Sequence, residues 1–169
     1  MKTISSARHK SRGQSMLEFS LLAPVFVLLM VGVLDFGRAG FYFVAGSNLA
    51  RTGARDAAVY NLGSGYTDAN VLSAVQTQAN AETISISQPA LCGTATPPQP
   101  PAALSACQTP AVGKAYLFID RSNAGVSNNP PYVLVSVVYA YRPMTPMLSD
   151  LTGTIYIVST SAMDTEWLP

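Results

Sequence analysis

The chain has 169 residues, of which 49% are hydrophobic and only 11% are charged. Soluble domains usually carry charge on about a quarter of their residues, so a segment in a non-aqueous environment is the first expectation. The length suits one domain of about 100–150 residues with an appendage, and it excludes a multidomain enzyme.

The basic residues are distributed unevenly. Lys2, Arg8, Lys10 and Arg12 all precede residue 14 with no acid among them, which leaves six basic and nine acidic residues in the remainder. A nucleic-acid partner requires basic residues clustered on a folded surface. The remainder is net negative, so we exclude nucleic acid as a partner.

An uncharged apolar run follows this basic segment. It extends from Phe19 to Leu34, and extension back to Met16 gives nineteen residues. About 20 are needed for a helix to cross a hydrocarbon core of about 30 Å. The pattern predicts a transmembrane helix over 16–34, with the basic N-terminus in the cytoplasm and the rest of the chain outside. A buried core helix and a secretory signal peptide are the alternatives.

Glu18 stands at the start of the apolar run, where a carboxylate needs a partner. Gly13 lies five residues upstream, and cleavage after it would create a new amine on Gln14, four residues from Glu18. The simpler interpretation is that the Glu18 carboxylate reaches the lipid headgroups. Gly13 and Gln14 are therefore a candidate processing site, and Glu18 is a candidate assembly residue.

Helical character continues without proline from Asp35 to Tyr60, which predicts one long helix over 14–60. Small residues at four-residue spacing let another backbone approach closely, so they predict a helix-packing ridge. The ridge comprises Gly46, Ala50, Ala54 and Ala58. Four charged residues are candidates for polar contacts between subunits: Asp35, Arg38, Arg51 and Arg55. The alternative for Arg51 and Arg55 is a solvated face of the helix, and the alternative for Asp35 and Arg38 is an ion pair with each other.

The pattern of residues 61–169 predicts a small extracytoplasmic α+β domain with an antiparallel sheet. Thr67 or Asp68 is a good N-cap for a second helix that ends near Ala81. Strands are predicted over 82–88, 114–120, 132–142 and 153–163, and a proline-rich loop over 89–110. Tyr139 and Tyr141 share one face of their strand, either at the core edge or on a binding surface.

Cys92 and Cys107 bracket the proline-rich loop and are the two cysteines of the chain. Outside the cytoplasm they are expected to form a disulfide, with two free thiols or half a metal site as the alternatives. The single histidine, His9, lies in the basic segment, so no Ser-His or Cys-His arrangement is expected in the outer domain. We predict no enzyme activity, no cofactor and no metal.

The N-terminal third also carries a family resemblance. A basic leader ending in Gly13, then GQSMLEFSLLAP at 13–24, DFGR at 35–38 and NLARTGARDAA at 48–58 together resemble the TadE-like proteins of tight-adherence pilus systems. The resemblance covers about residues 12–60. It implies a minor pilin or pseudopilin of the type IV pilus superfamily, made in the bacterial inner membrane.

By that resemblance, residues 1–13 are a cytoplasmic leader that a prepilin peptidase removes, and Glu18 is the fifth residue of the mature chain. This acid is expected to pair with the N-terminal amine of a neighbouring pilin subunit. The implied partners are other pilin subunits, the peptidase, the inner-membrane assembly platform and the lipid bilayer. Two alternatives are a permanently anchored periplasmic binding module and a binder that signal peptidase releases, beginning beyond about residue 34.

Overall fold

The computed structural model describes residues 12–59, 67–87, 109–121 and 132–165. They form a long helix, a four-stranded sheet and two shorter helices, so the predicted α+β class is confirmed. In chain order the elements are α1 Arg12–Val59, α2 Asp68–Ala81, β1 Ser85–Ser87, β2 Lys114–Asp120, β3 Tyr132–Tyr141, α3 Pro146–Thr152 and β4 Ile155–Asp164.

The strands lie in the order β1-β2-β3-β4. The pairings of β2 with β3 and of β3 with β4 are antiparallel, as predicted. The prediction differs at β1, which runs parallel to β2. A parallel pairing needs a crossover of about a dozen or more residues, and residues 88–113 provide that length between the two strands.

Helix α1 has two halves with different surroundings. None of residues 14–34 is buried, and most of their large apolar side chains are exposed. The helix is long and apolar enough to cross a membrane, and it continues through Pro24 as one element. At about 1.5 Å per residue, its 48 residues span about 72 Å.

The second half of α1 covers one face of the sheet. Val133, Val135 and Val137 alternate along β3 toward this helix and are fully buried, because successive side chains of a strand point to opposite faces. Leu49 is the largest α1 side chain in the same core. The described core therefore needs the second half of α1 to cover it.

Helix α2 closes the core beside α1. The helix begins at the predicted N-cap, Thr67, whose backbone N–H donates to the Asn70 side-chain oxygen in a capping box. Val71, Val75 and Ala79 are buried at helical spacing, so the predicted apolar face is confirmed.

The direction of the strands gives the domain two distinct ends. β3 finishes beside Asp35 of α1, and α3 and the start of β4 follow there. β2 begins at this same end, because Ala115 pairs with Tyr139. We call it the Asp35 end of the domain, and it is the end at which the apolar half of α1 emerges.

Candidate functional site

The first site element is the exposed apolar half of α1, with Glu18 near its start. The Gln14 side-chain amide donates a hydrogen bond to the Glu18 carboxylate, with 3.3 Å between Nε2 and Oε1. Both residues are exposed, and Gly13 lies in the first turn of the helix. Among the residues that the structure describes, Glu18 therefore has no partner from the sheet domain, and another group can approach it.

The small-residue ridge packs within the chain. Ala50, Ala54 and Ala58 are buried, and a side chain at Gly46 would meet the Ser159 hydroxyl at 3.0 Å. The surface that this ridge approaches is the chain's own sheet. The physical reason is that the apolar face of β3 and β4 has to be covered, and a ridge without bulky side chains lets α1 lie close to it.

Gly53 extends this close approach to α2. A Cβ atom there would lie 3.0 Å from Val135 Cγ1 and 3.2 Å from Val75 Cγ2. Glycine is costly in a helix interior, by about 1 kcal/mol relative to alanine. Its use at position 53 is explained because α1, β3 and α2 converge there.

Asp35 is held by the domain at the point where the apolar segment ends. Its side chain is only 3% exposed. One carboxylate oxygen accepts hydrogen bonds from the Tyr141 hydroxyl at 3.2 Å and the Met144 backbone N–H at 3.0 Å. The other accepts from the Thr145 backbone N–H at 2.9 Å and from the Thr145 hydroxyl. The carboxylate thus fixes α1 to the segment that begins α3.

These donors favour the ionised form of Asp35. The Thr145 hydroxyl, the Met144 N–H and the Thr145 N–H lower its pKa from 3.8 to about 2, although burial acts in the opposite direction. The sequence makes Asp35 a candidate for contacts between subunits, together with Arg38, Arg51 and Arg55. The structure instead engages its carboxylate within the chain.

Arg38 does not form the expected ion pair with Asp35. Its guanidinium hydrogen-bonds Tyr42, which raises the pKa of Arg38. The Tyr42 ring stacks on Tyr139 with 4.2 Å between ring centroids and an interplanar angle of 20°. Tyr139 and Tyr141 are buried against α1, so the interpretation of this strand face as an exposed binding surface is wrong.

Arg51 and Arg55 are exposed on the side of α1 that faces away from the sheet. They remain available to other molecules, and their predicted contacts between subunits stay a prediction.

Another arginine, Arg121, stabilises the opposite end of the domain. It forms an ion pair with Asp68 at 3.0 Å and donates a hydrogen bond to the Ala57 carbonyl.

Cys92, Cys107 and most of the proline-rich loop over 89–110 lie outside the described residues, so their predicted disulfide stays a prediction. Within residues 12–59, 67–87, 109–121 and 132–165, no group of three or more His, Cys, Asp or Glu side chains is arranged to hold a metal ion.

Two features escaped the sequence analysis. Helix α3 is short, and its signals are Thr145 as N-cap and Pro146 in the first turn. The partners of Asp35 come from residues more than a hundred positions away. A carboxylate that ends an apolar run was a usable signal, because such a group needs hydrogen-bond donors.

Comparison with known proteins gives one family match. No curated protein and no solved structure is significantly similar to the chain. A family model described as TadE-like protein matches residues 13–55, about a quarter of the chain. The matched segment begins at the candidate processing site, includes Glu18 and Asp35, and ends within the ridge that packs on the sheet. Residues 13–55 of α1 are therefore similar to the TadE-like family, as the resemblance in the sequence predicts.

Proposed function

We propose that this protein is a structural minor pilin or pseudopilin that takes part in assembling a tight-adherence, type IV-like pilus. The observation that carries the proposal is the division of α1 at Asp35. The TadE-like match spans a helix whose first half is apolar and exposed and whose second half belongs to the core of the domain. A subunit built this way transmits the position of its membrane helix directly to its folded domain.

The apolar half of α1 is the membrane anchor in this proposal. The match to a TadE-like family and the one long apolar helix both support an anchored protein of a pilus system. The four basic residues before residue 14 orient the leader toward the cytoplasm, so the sheet domain lies on the outer side of the inner membrane.

Glu18 is the proposed assembly residue. Removal of residues 1–13 by a prepilin peptidase would free the Gln14 amine, and the partner of Glu18 would be that amine on a neighbouring subunit. A charged group in a low-dielectric medium strongly favours an arrangement in which it is paired. Pairing between subunits therefore selects the axial register in which each Glu18 reaches an amine.

The alternatives differ from this proposal in the first residue of the mature chain. A permanently anchored binding module keeps its leader. A binder released by signal peptidase loses the helix before about residue 34. The continuity of α1 across that position favours a mature chain that keeps the whole helix.

The role of Glu18 is tested with Glu18→Ala in the native host, with Ser20→Ala as the matched control. Ser20 is exposed near Glu18, and its hydroxyl donates to the Met16 carbonyl of the same helix. We expect both variants to be inserted and processed, and Glu18→Ala alone to be depleted from sheared fibres. The measurement is quantitative immunoblotting of membrane and fibre fractions.

Two results would contradict this role. Normal recovery of Glu18→Ala in fibres would mean that assembly does not depend on the carboxylate. Equal depletion of both variants would mean that any change in this helical turn disturbs assembly, without a specific function for the charge.

A further inference from the structure

Helix α3 presents its apolar side chains to the outside of the protein. Met147 is 74% exposed and Leu151 is 83% exposed, whereas Ser149 is buried toward the domain. Residues four apart lie on one face of a helix, so Met147 and Leu151 form one apolar stripe. Met144, which is 70% exposed, lies just before the helix. Asp150 and Thr152 are exposed as well, so the outward surface of α3 combines this apolar stripe with polar residues. Two large apolar side chains exposed on one face are unusual for a surface helix in water, where the apolar face is turned toward the core.

The position of this apolar stripe is fixed by Asp35. The backbone N–H groups of Met144 and Thr145 donate to the Asp35 carboxylate, so α3 begins beside the residue that ends the apolar segment of α1. Phe36, the next residue of α1, is also highly exposed. The stripe and the predicted membrane segment are thus neighbouring parts of one apolar surface.

Exposed apolar side chains are concentrated at this end of the domain. Apart from Met163, the large exposed apolar residues that follow Asp35 in the described sequence lie in the half of the domain that contains the Asp35 end. They include Val112 and Ile155, which lie next to the start of β2 and at the start of β4. Large exposed apolar patches on proteins mark interaction sites, and these residues lie at the end of the domain at which α1 leaves it.

Basic residues accompany the patch. Lys114, the first residue of β2, and Arg142, which directly follows β3, are both exposed at the Asp35 end. Apolar side chains bordered by basic ones suit the boundary between acyl chains and phosphate headgroups.

We propose that α3 lies in the surface of the lipid bilayer from which α1 emerges, with Met147 and Leu151 inserted at the boundary between headgroups and acyl chains. The inference rests on the proposed function, because it requires residues 16–34 to span the membrane. It adds a second membrane contact, which fixes the height and orientation of the domain above the bilayer before the subunit is withdrawn into a fibre.

The test is depth-dependent fluorescence quenching of the full-length chain in vesicles of phosphatidylethanolamine, phosphatidylglycerol and brominated phosphatidylcholine. The single tryptophan is first replaced by Trp167→Phe. One reporter is then introduced by Met147→Trp, at the stripe. The matched control is Met163→Trp, an exposed methionine near the opposite end of β4, and the membrane reference is Phe26→Trp, in the apolar half of α1.

We expect the Met147→Trp variant to lose most of its fluorescence with bromines near the headgroups and less with bromines deep in the acyl chains. The Met163→Trp variant should be insensitive to both lipids. Quenching of Phe26→Trp by the deep bromines reports whether the helix spans the bilayer.

Two results separate failure of this inference from failure of the proposed function. If Phe26→Trp is quenched while Met147→Trp is as insensitive as Met163→Trp, the stripe lies outside the bilayer, which overturns the inference alone. If Phe26→Trp is not quenched by deep bromines, residues 16–34 do not span the membrane, and both proposals fail.

Discussion

Gly53→Ala is the sharpest perturbation of the contact between α1 and the sheet. The new Cβ would lie 3.0 Å from Val135 Cγ1 and 3.2 Å from Val75 Cγ2. Both neighbours are fully buried, and both are β-branched side chains with little rotamer freedom. The methyl group therefore has no free space, and either α1 or its neighbours must shift.

The size of the effect follows from two opposing contributions. Replacement of glycine by alanine in a helix interior stabilises by about 1 kcal/mol. Insertion of a methylene-sized group into a packed core costs about 1–3 kcal/mol. Gly40→Ala is the matched control, since no atom would lie within 4 Å of its Cβ. We expect Gly53→Ala to be less stable than Gly40→Ala by about 1–3 kcal/mol.

The assay is guanidinium unfolding of the full-length chain in one detergent, followed by circular dichroism. Val135→Ala removes one of the two clashing methyl groups, so the double variant with Gly53→Ala should show a favourable coupling energy of about 0.5–3 kcal/mol. Equal free energies of unfolding for Gly53→Ala and Gly40→Ala, with no coupling to Val135→Ala, would refute the packing of α1 on β3. Impaired fibre assembly with unchanged stability would indicate that the ridge faces another subunit instead.

Two further predictions concern Asp35. Asp35→Asn replaces one carboxylate oxygen by an amide NH2 group, which would face the backbone N–H of Met144 or of Thr145, so this variant should lower the Tm. Tyr141→Phe removes only one donor to the carboxylate, so it should lower the Tm less. The pKa of Asp35 is lowered to about 2 from 3.8, so the ionised form stabilises the fold. This stability is fully present above the ordinary pKa and is lost as the pH falls toward 2. The difference in Tm between wild type and Asp35→Asn should therefore be constant near neutral pH and shrink below about pH 4; a difference that is unchanged at pH 2.5 would contradict the assignment.

The sequence predicted elements well where the pattern is local. The sequence predicts strand β2 over 114–120, and it is observed over the same residues, because a short continuous apolar run with two aromatic residues, bounded by Lys114 and Asp120, is typical of a buried strand. Helix α2 was placed by its N-cap and by the spacing of Val71, Val75 and Ala79. The apolar run and its flanking charges indicated the exposed half of α1.

Features that depend on distant partners were not predictable in the same way. The ridge from Gly46 to Ala58 indicates that a backbone approaches closely, but helical spacing does not specify whether a sheet or a second helix approaches. Asp35 and Arg38 have the spacing of an ion pair, yet Asp35 meets backbone donors that only the fold brings near. The parallel pairing of β1 depends on a crossover, which no periodicity within the strand reports.

The central claim is that α1 is a processed pilin helix that enters a fibre together with its domain. The measurement that tests it most directly is intact mass with N-terminal sequencing of the protein from its native host, in membrane and sheared-fibre fractions. The account predicts a chain that begins at Gln14 and is present in the fibres. A chain that begins at Met1 in the membrane and is missing from fibres, or one that begins beyond Leu34, would contradict it.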